Sequence, residues 1–169
     1  NITRIDGIPR MDLEKARNLG LLEEIHDEAD KFYFSQVEAL SWGNPKLNRD
    51  YGVIYSPLHG TGGRLVPELL NRRGFKCLQS VEAQMAADEN FSTLISPNPE
   101  DPRAFEMALA QASAEDELII ANDPDADRLG VMVRYSKRHW QWLNGNQIGI
   151  LLLDHPWWQC VPPYLLSLR

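Results

Sequence analysis

The chain is poor in cysteine and has no long apolar run. Only Cys77 and Cys160 occur in its 169 residues, far apart and at no ligand spacing, so neither a disulfide framework nor a zinc site is indicated. The longest apolar run, Ile148–Leu153, is much shorter than the roughly 18 to 20 residues that a bilayer crossing needs. We therefore expect a soluble protein of a reducing cytoplasm, with no membrane partner.

Basic residues are also scarce, since 17 Lys and Arg against 24 Asp and Glu give a net charge of −7. Such a chain repels a phosphate backbone, so no nucleic-acid partner is expected, although an acidic chain can still hold phosphate through a metal ion. The first residue is Asn1 and no signal core follows it. We expect the chain to be a piece of a longer protein.

The first part of the chain has a helical pattern. Apolar residues recur three or four apart among charges through Asp12–Leu40, and Gly20 is expected to divide this region into two helices. Glycine, asparagine and proline in Ser41–Asp50 end the pattern. Tyr51–Tyr55 is then predicted to be a short, largely buried strand.

Two units of strand, turn and helix follow. Pro57–Gly63, PLHGTGG, is too rich in glycine for a regular element, and the apolar residues after it have helical spacing as far as Gly74. Phe75–Val81 is predicted to be the second strand. Glu82–Asp101, with prolines on both sides of Asn98, is predicted to be a long functional loop.

The remaining elements complete an α/β pattern. They are a helix over Arg103–Ala114, a strand over Glu117–Ala121, a hairpin of Leu129–Tyr135 and Trp140–Leu143, and a helix near Gln147–Asp154 that Asn144 opens. Strands that alternate with helices favour an α/β fold with a mainly parallel sheet between helices, to which the hairpin adds an antiparallel edge.

The last stretch, His155–Arg169, does not fit this pattern. It concentrates tryptophan, proline and leucine in 15 residues. Three interpretations stay open, namely a core element without its partners, an interaction patch, and a sequence altered at a truncation point.

Acidic residues are concentrated in one quarter of the chain. Between residues 82 and 127 there are twelve acidic residues and one basic residue, and most of these are expected to be solvated surface. The exception is Asn122–Arg128, NDPDADR, where Asp123, Asp125 and Asp127 follow directly on an apolar strand. Three like charges so close together need a counter-charge.

The geometry of this acidic loop predicts a cation site. Alternate residues of an extended strand lie about 6.6 to 7 Å apart, too far for one small ion, whereas a chain that curls at the end of a strand can bring all three carboxylates inward. Pro124 resists helix there and removes an amide donor. Oxygen ligands suit Mg²⁺ or Ca²⁺, and Arg128 could offset the remaining charge or grip a phosphate oxygen. An EF-hand is excluded because its sixth and twelfth positions, counted from Asp123, are Arg128 and Arg134 rather than Gly and Glu.

The Gly-rich turn gives a weaker signal. His59 is interpreted as a packing or hydrogen-bonding residue rather than a catalyst. Gly60, Gly62 and Gly63 do not form GxGxxG, because Leu65 stands where the third glycine belongs, and no lysine completes GxxxxGK[ST]. A nucleotide-binding loop is therefore not expected.

Four motifs, in this order and at these intervals, resemble the α-D-phosphohexomutase superfamily, in its bacterial phosphoglucomutase and phosphomannomutase branch. They are PLHGTGG after a strand, SPNPE at Ser96–Glu100, NDPDADRLG at Asn122–Gly130, and NGNQIG at Asn144–Gly149. The resemblance covers Asp12–Asp154. It implies a four-domain, magnesium-dependent isomerase of carbohydrate metabolism that moves a phosphoryl group between the 1- and 6-positions of a sugar phosphate, through a bisphosphate intermediate and a phosphoserine.

The resemblance also implies a domain assignment and residue roles. Residues 1–11 would be the end of the preceding domain or a linker, and residues 12–143 would form domain II. Residues 144–169 would be the truncated start of domain III. Asp123, Asp125 and Asp127 would be the Mg²⁺ ligands, and Arg128 would contact the phosphate or phosphoserine. No segment resembles the serine, sugar-recognising or phosphate-gripping loops of the other domains. The chain by itself is therefore expected to be inactive, and it does not indicate a preference for glucose, mannose or pentose.

Three alternatives remain. A phosphopentomutase has a similar pattern. A phosphatase of the haloacid dehalogenase type also places Asp-x-Asp after an apolar strand, but there Gly-Thr or Val normally follows, whereas Ala126, Asp127 and Arg128 follow here. The non-enzymatic alternative is an acidic metal-binding or interaction module that uses Trp157 and Trp158 as an apolar anchor.

Overall fold

The computed structural model describes residues 8–25, 27–40, 50–136 and 139–154. The chain divides into two compact units, residues 1–40 and residues 41–169. The atypical tail, His155–Arg169, lies outside the described residues, so its three interpretations stay open. Within the described part of the chain, no helix has the length and hydropathy needed to cross a membrane.

The first unit contains two helices, α1 (Leu13–Asn18) and α2 (Asp27–Leu40). The Asp12 carboxylate begins α1 by accepting hydrogen bonds from the backbone amides of Glu14, at 2.9 Å, and Lys15. Gly20 follows α1 with a positive φ of 67°, a conformation that is strained for residues with a Cβ. The predicted division at Gly20 is therefore confirmed.

The second unit is built on one mixed sheet of five strands in the order β2-β1-β3-β4-β5. The strands are β1 (Gly52–Ser56), β2 (Leu78–Ser80), β3 (Asp116–Asn122), β4 (Leu129–Ser136) and β5 (His139–Leu143). β1 runs parallel to both β2 and β3, whereas β4 is antiparallel to β3 and to β5. The expected α/β sheet with an antiparallel hairpin at one edge is confirmed.

Helices connect and cover these strands. They are α3 (Gly62–Arg72), the four-residue α4 (Glu82–Met85), a 3-10 turn (Pro102–Phe105), α5 (Glu106–Gln111) and α6 (Gly145–Asp154). Asn144 and Gln147 form a reciprocal cap at the start of α6, because each side chain accepts a hydrogen bond from the other residue's backbone amide. This cap confirms the predicted helix opening, and α6 begins two residues earlier than expected.

Two elements are shorter than the sequence pattern predicted. The second strand begins at Leu78 rather than Phe75, because the Phe75 amide still closes the end of α3 on the Leu70 carbonyl and the Phe75 ring packs edge-on against Tyr51. The helix predicted over Arg103–Ala114 is a 3-10 turn followed by the short α5. The predicted loop Glu82–Asp101 starts with α4 and is otherwise irregular.

The main core lies between one face of the sheet and α5. Ile54, Ile119 and Met132 are paired across three neighbouring strands, and all are buried. The buried residues of this cluster are Ile54, Leu58, Val81, Ala104, Phe105, Ala108, Ile119, Ala121 and Met132. Because side chains alternate along a strand, Tyr55 points to the other face, where its hydroxyl reaches Gly62 of α3.

Candidate metal centre

The acidic loop and the Gly-rich turn lie side by side because of the strand order. β1 and β3 are neighbouring parallel strands, with Ser56 paired to Ala121 at their carboxyl ends. The Gly-rich turn follows β1 and the acidic loop follows β3, so both begin at the carboxyl ends of neighbouring parallel strands. Open α/β sheets bind their ligands at this end.

The acidic loop curls at the end of β3, as predicted for a loop that brings its three carboxylates together. The Ala126 amide donates to the Asp123 carbonyl at 2.9 Å, which closes a turn with Pro124 at its second position. Ala126 then takes a positive φ of 61° and reverses the chain direction. As a result, one carboxylate oxygen from each of Asp123, Asp125 and Asp127 lies within 4.8 Å of the other two. An extended strand could not bring them so close.

Asp123 is the buried member of the three and is paired with Arg128. Its side chain is 1% exposed. The Arg128 backbone amide donates to Oδ1 at 2.8 Å and the Arg128 Nε donates to Oδ2 at 2.6 Å. Burial alone would raise the pKa of Asp123, but the two hydrogen bonds from Arg128, a hydrogen bond with the Asp125 side chain and the positive charge of Arg128 together hold that pKa below the ordinary value. The Asp123 carboxylate is therefore held charged and in one orientation.

Asp125 and Asp127 are exposed at the rim of the loop. The negative charges of Asp125 and then of Asp123 raise the pKa of Asp127. Such mutual repulsion is what a divalent cation relieves, and the three groups offer only hard oxygen donors. The donor set thus fits Mg²⁺ or Ca²⁺ and does not fit a thiophilic metal.

The Gly-rich turn contacts the acidic loop through backbone atoms. The Thr61 amide donates to the Pro124 carbonyl at 2.8 Å, and a Cβ on Gly62 would stand 3.6 Å from the Ala126 Cβ. Because α3 begins at Gly62, the partial positive charge of its N-terminus lies beside the acidic loop. The turn therefore contributes backbone contacts and a favourable dipole to the site.

His59 connects this turn to the loop that follows α4. It is 5% exposed, its Nδ1 donates to the Ala86 carbonyl at 2.9 Å, and its Nε2 lies 2.8 Å from the Thr93 Oγ1. Buried Gln84 continues the network, since it accepts from the Ser56 hydroxyl and donates to Thr93. The interpretation of His59 as a hydrogen-bonding residue is confirmed.

The SPNPE segment meets the acidic loop at Arg128. The Arg128 Nη1 donates to the Asn98 Oδ1 at 3.2 Å. The neighbouring Pro99 is fully buried against Gly130, where a Cβ would stand 2.4 Å from the Pro99 carbonyl oxygen. The Trp142 Nε1 donates to that same carbonyl at 3.3 Å. Three of the four motifs therefore converge on one site.

Asp123, Asp125, Asp127 and Arg128 were predicted to lie in one site, and the structure brings them together. Asn98 was not predicted as a partner of Arg128, nor Gln84 as the centre of a buried polar network. The signal for Asn98 was its position between two prolines in a quoted motif. Gln84 carries no local signal, because its partners are Ser56 and Thr93, distant in the sequence.

Comparison with known proteins points to one family. A family model described as phosphoglucomutase/phosphomannomutase, alpha/beta/alpha domain II, matches residues 31–136. The phosphoglucomutase of Staphylococcus aureus strain USA300 is 48% identical over 124 residues, which are 73% of this chain and 22% of that relative. The phosphoglucomutase of strain N315 is 47% identical over the same shares of both chains.

A solved structure with a provisional phosphomannomutase name, from Thermus Thermophilus, aligns with a TM-score of 0.45 and 19% identity. That alignment covers 61% of this chain and 23% of the other. The chain also spans only about a fifth of the length of the curated relatives it matches, 22% in the first two.

Proposed function

We propose that this chain, which belongs to the phosphoglucomutase/phosphomannomutase family and matches its domain II, carries the magnesium site of a sugar-phosphate mutase. The observation that carries the proposal is the convergence of three carboxylates within 4.8 Å at the carboxyl end of a parallel strand. The relatives named phosphoglucomutase support the isomerase class for a whole protein of this kind.

Each residue of the site has a distinct part in this proposal. Asp123, Asp125 and Asp127 would hold Mg²⁺, which supplies positive charge opposite the charge that develops on a transferring phosphoryl group. Arg128 fixes the Asp123 carboxylate through Nε, and its Nη2 has no hydrogen-bond partner among the described residues. That nitrogen is available to a phosphate oxygen of the sugar phosphate or of a phosphoserine.

The proposal includes an assignment of residues to domains. Residues 12–143 would form domain II and residues 144–169 would open domain III. None of the 169 residues forms a segment that resembles the serine loop, so the chain alone should show no mutase turnover, and turnover by the purified chain would refute this. Cytoplasmic location stays a prediction from the sequence, and the chain indicates no preference among glucose, mannose and pentose.

The phosphatase alternative is disfavoured by the sequence after the second aspartate. Such phosphatases normally have Gly-Thr or Val there, whereas Ala126, Asp127 and Arg128 follow Asp125 here. Nothing in the described residues specifically favours the acidic interaction module with an apolar anchor, because Trp157 and Trp158 lie outside them.

Calorimetric titration of the purified chain with Mg²⁺ tests the proposed site. We expect binding in the wild type that falls at least about tenfold in Asp125→Asn and in Asp127→Asn, because each change removes one charged oxygen ligand. Glu117→Gln removes the same charge from the far end of β3 and is the matched control, with binding within about twofold of the wild type.

Two outcomes would contradict the proposal. One is equal Mg²⁺ binding in the wild type and both loop variants, which would mean that the ion binds elsewhere. The other is no binding by the wild type with or without inorganic phosphate as an added ligand. Mg²⁺ binding that appears only with phosphate would support a site in which a phosphate group, such as that of a phosphoserine, supplies a further ligand to the ion.

A further inference from the structure

Arg128 is held at three points that come from two separate loops. Its backbone amide and Nε bind the two oxygens of Asp123, and its Nη1 binds the Asn98 Oδ1. The Asp123 contacts engage only the backbone amide and Nε, so they add nothing to the intrinsic barrier to rotation of the guanidinium about the Nε–Cζ bond. The Asn98 contact opposes that rotation, because Nη1 would have to leave Oδ1.

Asn98 is itself held in place by its neighbours. Its Oδ1 also accepts the Glu100 amide at 3.0 Å, which closes a local turn. Pro99 lies directly against Gly130, and its carbonyl accepts a hydrogen bond from the Trp142 Nε1, so the segment cannot shift along β4 without losing these contacts. The Gly130 position matters because any side chain there would overlap the Pro99 carbonyl oxygen.

We propose that Asn98 is the positioning residue for Arg128, and that it sets the orientation in which the guanidinium is presented to a phosphate group. The inference rests on the proposed function for the class of ligand, a phosphate monoester bound next to the metal. Its structural part does not depend on the metal, because the contact exists in the protein alone. Asn98 contacts no reacting atom and acts only through Arg128.

Nuclear magnetic resonance of the ¹⁵N-labelled, metal-free chain tests the positioning directly. Rotation about the Nε–Cζ bond is measured from exchange of the Arg128 Nη signals, which Arg128→Lys assigns by their disappearance. We expect Asn98→Ala to accelerate this rotation about tenfold, since a hydrogen bond to a charged group is lost. Asn98→Asp keeps an acceptor for both Nη1 and the Glu100 amide and should restore slow rotation.

Asn98→Ser separates the role of Asn98 in folding from its role at Arg128. A serine oxygen can still accept the Glu100 amide and close the local turn, but its side chain is one atom too short to reach Nη1. We expect Asn98→Ser to match the wild type in thermal midpoint and to match Asn98→Ala in rotation rate. The control Asn90→Ala changes an exposed asparagine outside this contact and should leave the rotation unchanged.

Binding of inorganic phosphate to the Mg²⁺-loaded chain supplies the functional readout. We expect Asn98→Ala and Asn98→Ser to weaken phosphate binding several-fold while Mg²⁺ affinity stays within about twofold of the wild type. Unchanged rotation in both variants, or a failure of Asn98→Asp to restore it, would overturn the inference. Absence of Mg²⁺ binding in the wild type would instead contradict the proposed function, and it would leave the rotation rates as evidence on Asn98 alone.

Discussion

Pro124 occupies the place that a side chain on Gly60 would need. A Cβ built on Gly60 would stand 2.3 Å from the Pro124 Cα and 2.5 Å from its carbonyl oxygen, and both atoms are backbone. The Gly-rich turn therefore uses this glycine to let two loops approach each other. The close approach in turn allows the Thr61 amide to reach the Pro124 carbonyl.

Gly60→Ala should consequently disturb the acidic loop. One of the two backbones must move, and we expect a loss of about 2 to 4 kcal/mol in the free energy of unfolding, measured by urea denaturation. Gly149→Ala is the matched control, because a Cβ at Gly149 of α6 meets nothing within 4 Å. Alanine is the better helix former there, so this control should be stabilised by up to about 1 kcal/mol. Equal effects of the two changes would contradict the steric argument.

The second prediction concerns His59, which is buried and has both ring nitrogens in hydrogen bonds. His59→Ala should lower the free energy of unfolding by about 2 to 4 kcal/mol, because the hydrogen bonds of the ring to the Ala86 carbonyl and to the Thr93 hydroxyl are lost. His59 also has a positive φ of 65°, which alanine tolerates poorly. Asparagine accepts this backbone conformation and keeps a donor, so His59→Asn should recover part of the loss.

Hydrogen exchange locates the effect of these changes. We expect the Leu94 amide, which donates to the Phe91 carbonyl at 2.8 Å, to exchange faster in His59→Ala than in the wild type. Exposed His139 provides the control, and His139→Ala should change stability by less than about 0.5 kcal/mol. Unaltered Leu94 exchange in His59→Ala would show that the network does not hold the loop.

The third prediction is a pH dependence that Asp88 produces. Hydrogen bonds from the Ser92 side chain, then from the Ser92 and Asn90 amides, lower the pKa of Asp88 from 3.8 to about 2. The folded protein therefore binds fewer protons at Asp88 than the unfolded chain does between these two values. The contribution of Asp88 to the free energy of unfolding is therefore fully present above about pH 4, and it is lost as the pH falls towards 2.

Urea denaturation at several pH values measures this contribution. The difference in unfolding free energy between the wild type and Asp88→Asn should be constant from pH 7 to about pH 4 and should shrink below it. Glu89→Gln removes the same charge one residue further on and serves as the comparison. A wild-type advantage over Asp88→Asn that grows as the pH falls would have the wrong sign for a lowered pKa.

Most of the fold could be predicted from local patterns. The four strands β1, β3, β4 and β5 each lie within two residues of the predicted bounds, and Gly74 ends the helical stretch with a positive φ. The misjudged elements, β2 and α5, are short. Phe75 has strand propensity, but its amide closes the end of α3 instead.

The sequence by itself determined which ligand atoms the acidic loop offers. Three aspartates at alternate positions after an apolar strand, with a proline between the first two, indicate an oxygen-ligand cation site in any fold that lets the loop curl. Their spacing along the chain is local, so it needs no knowledge of strand order.

Only the tertiary structure decided what surrounds that loop. Gly60 meets Pro124, and Asn98 meets Arg128 across 30 positions of the sequence. These contacts depend on which strands are neighbours and how loops pack at the end of the sheet. Helical and strand periodicity does not record them, because it reports which face of an element is buried and not which element covers it.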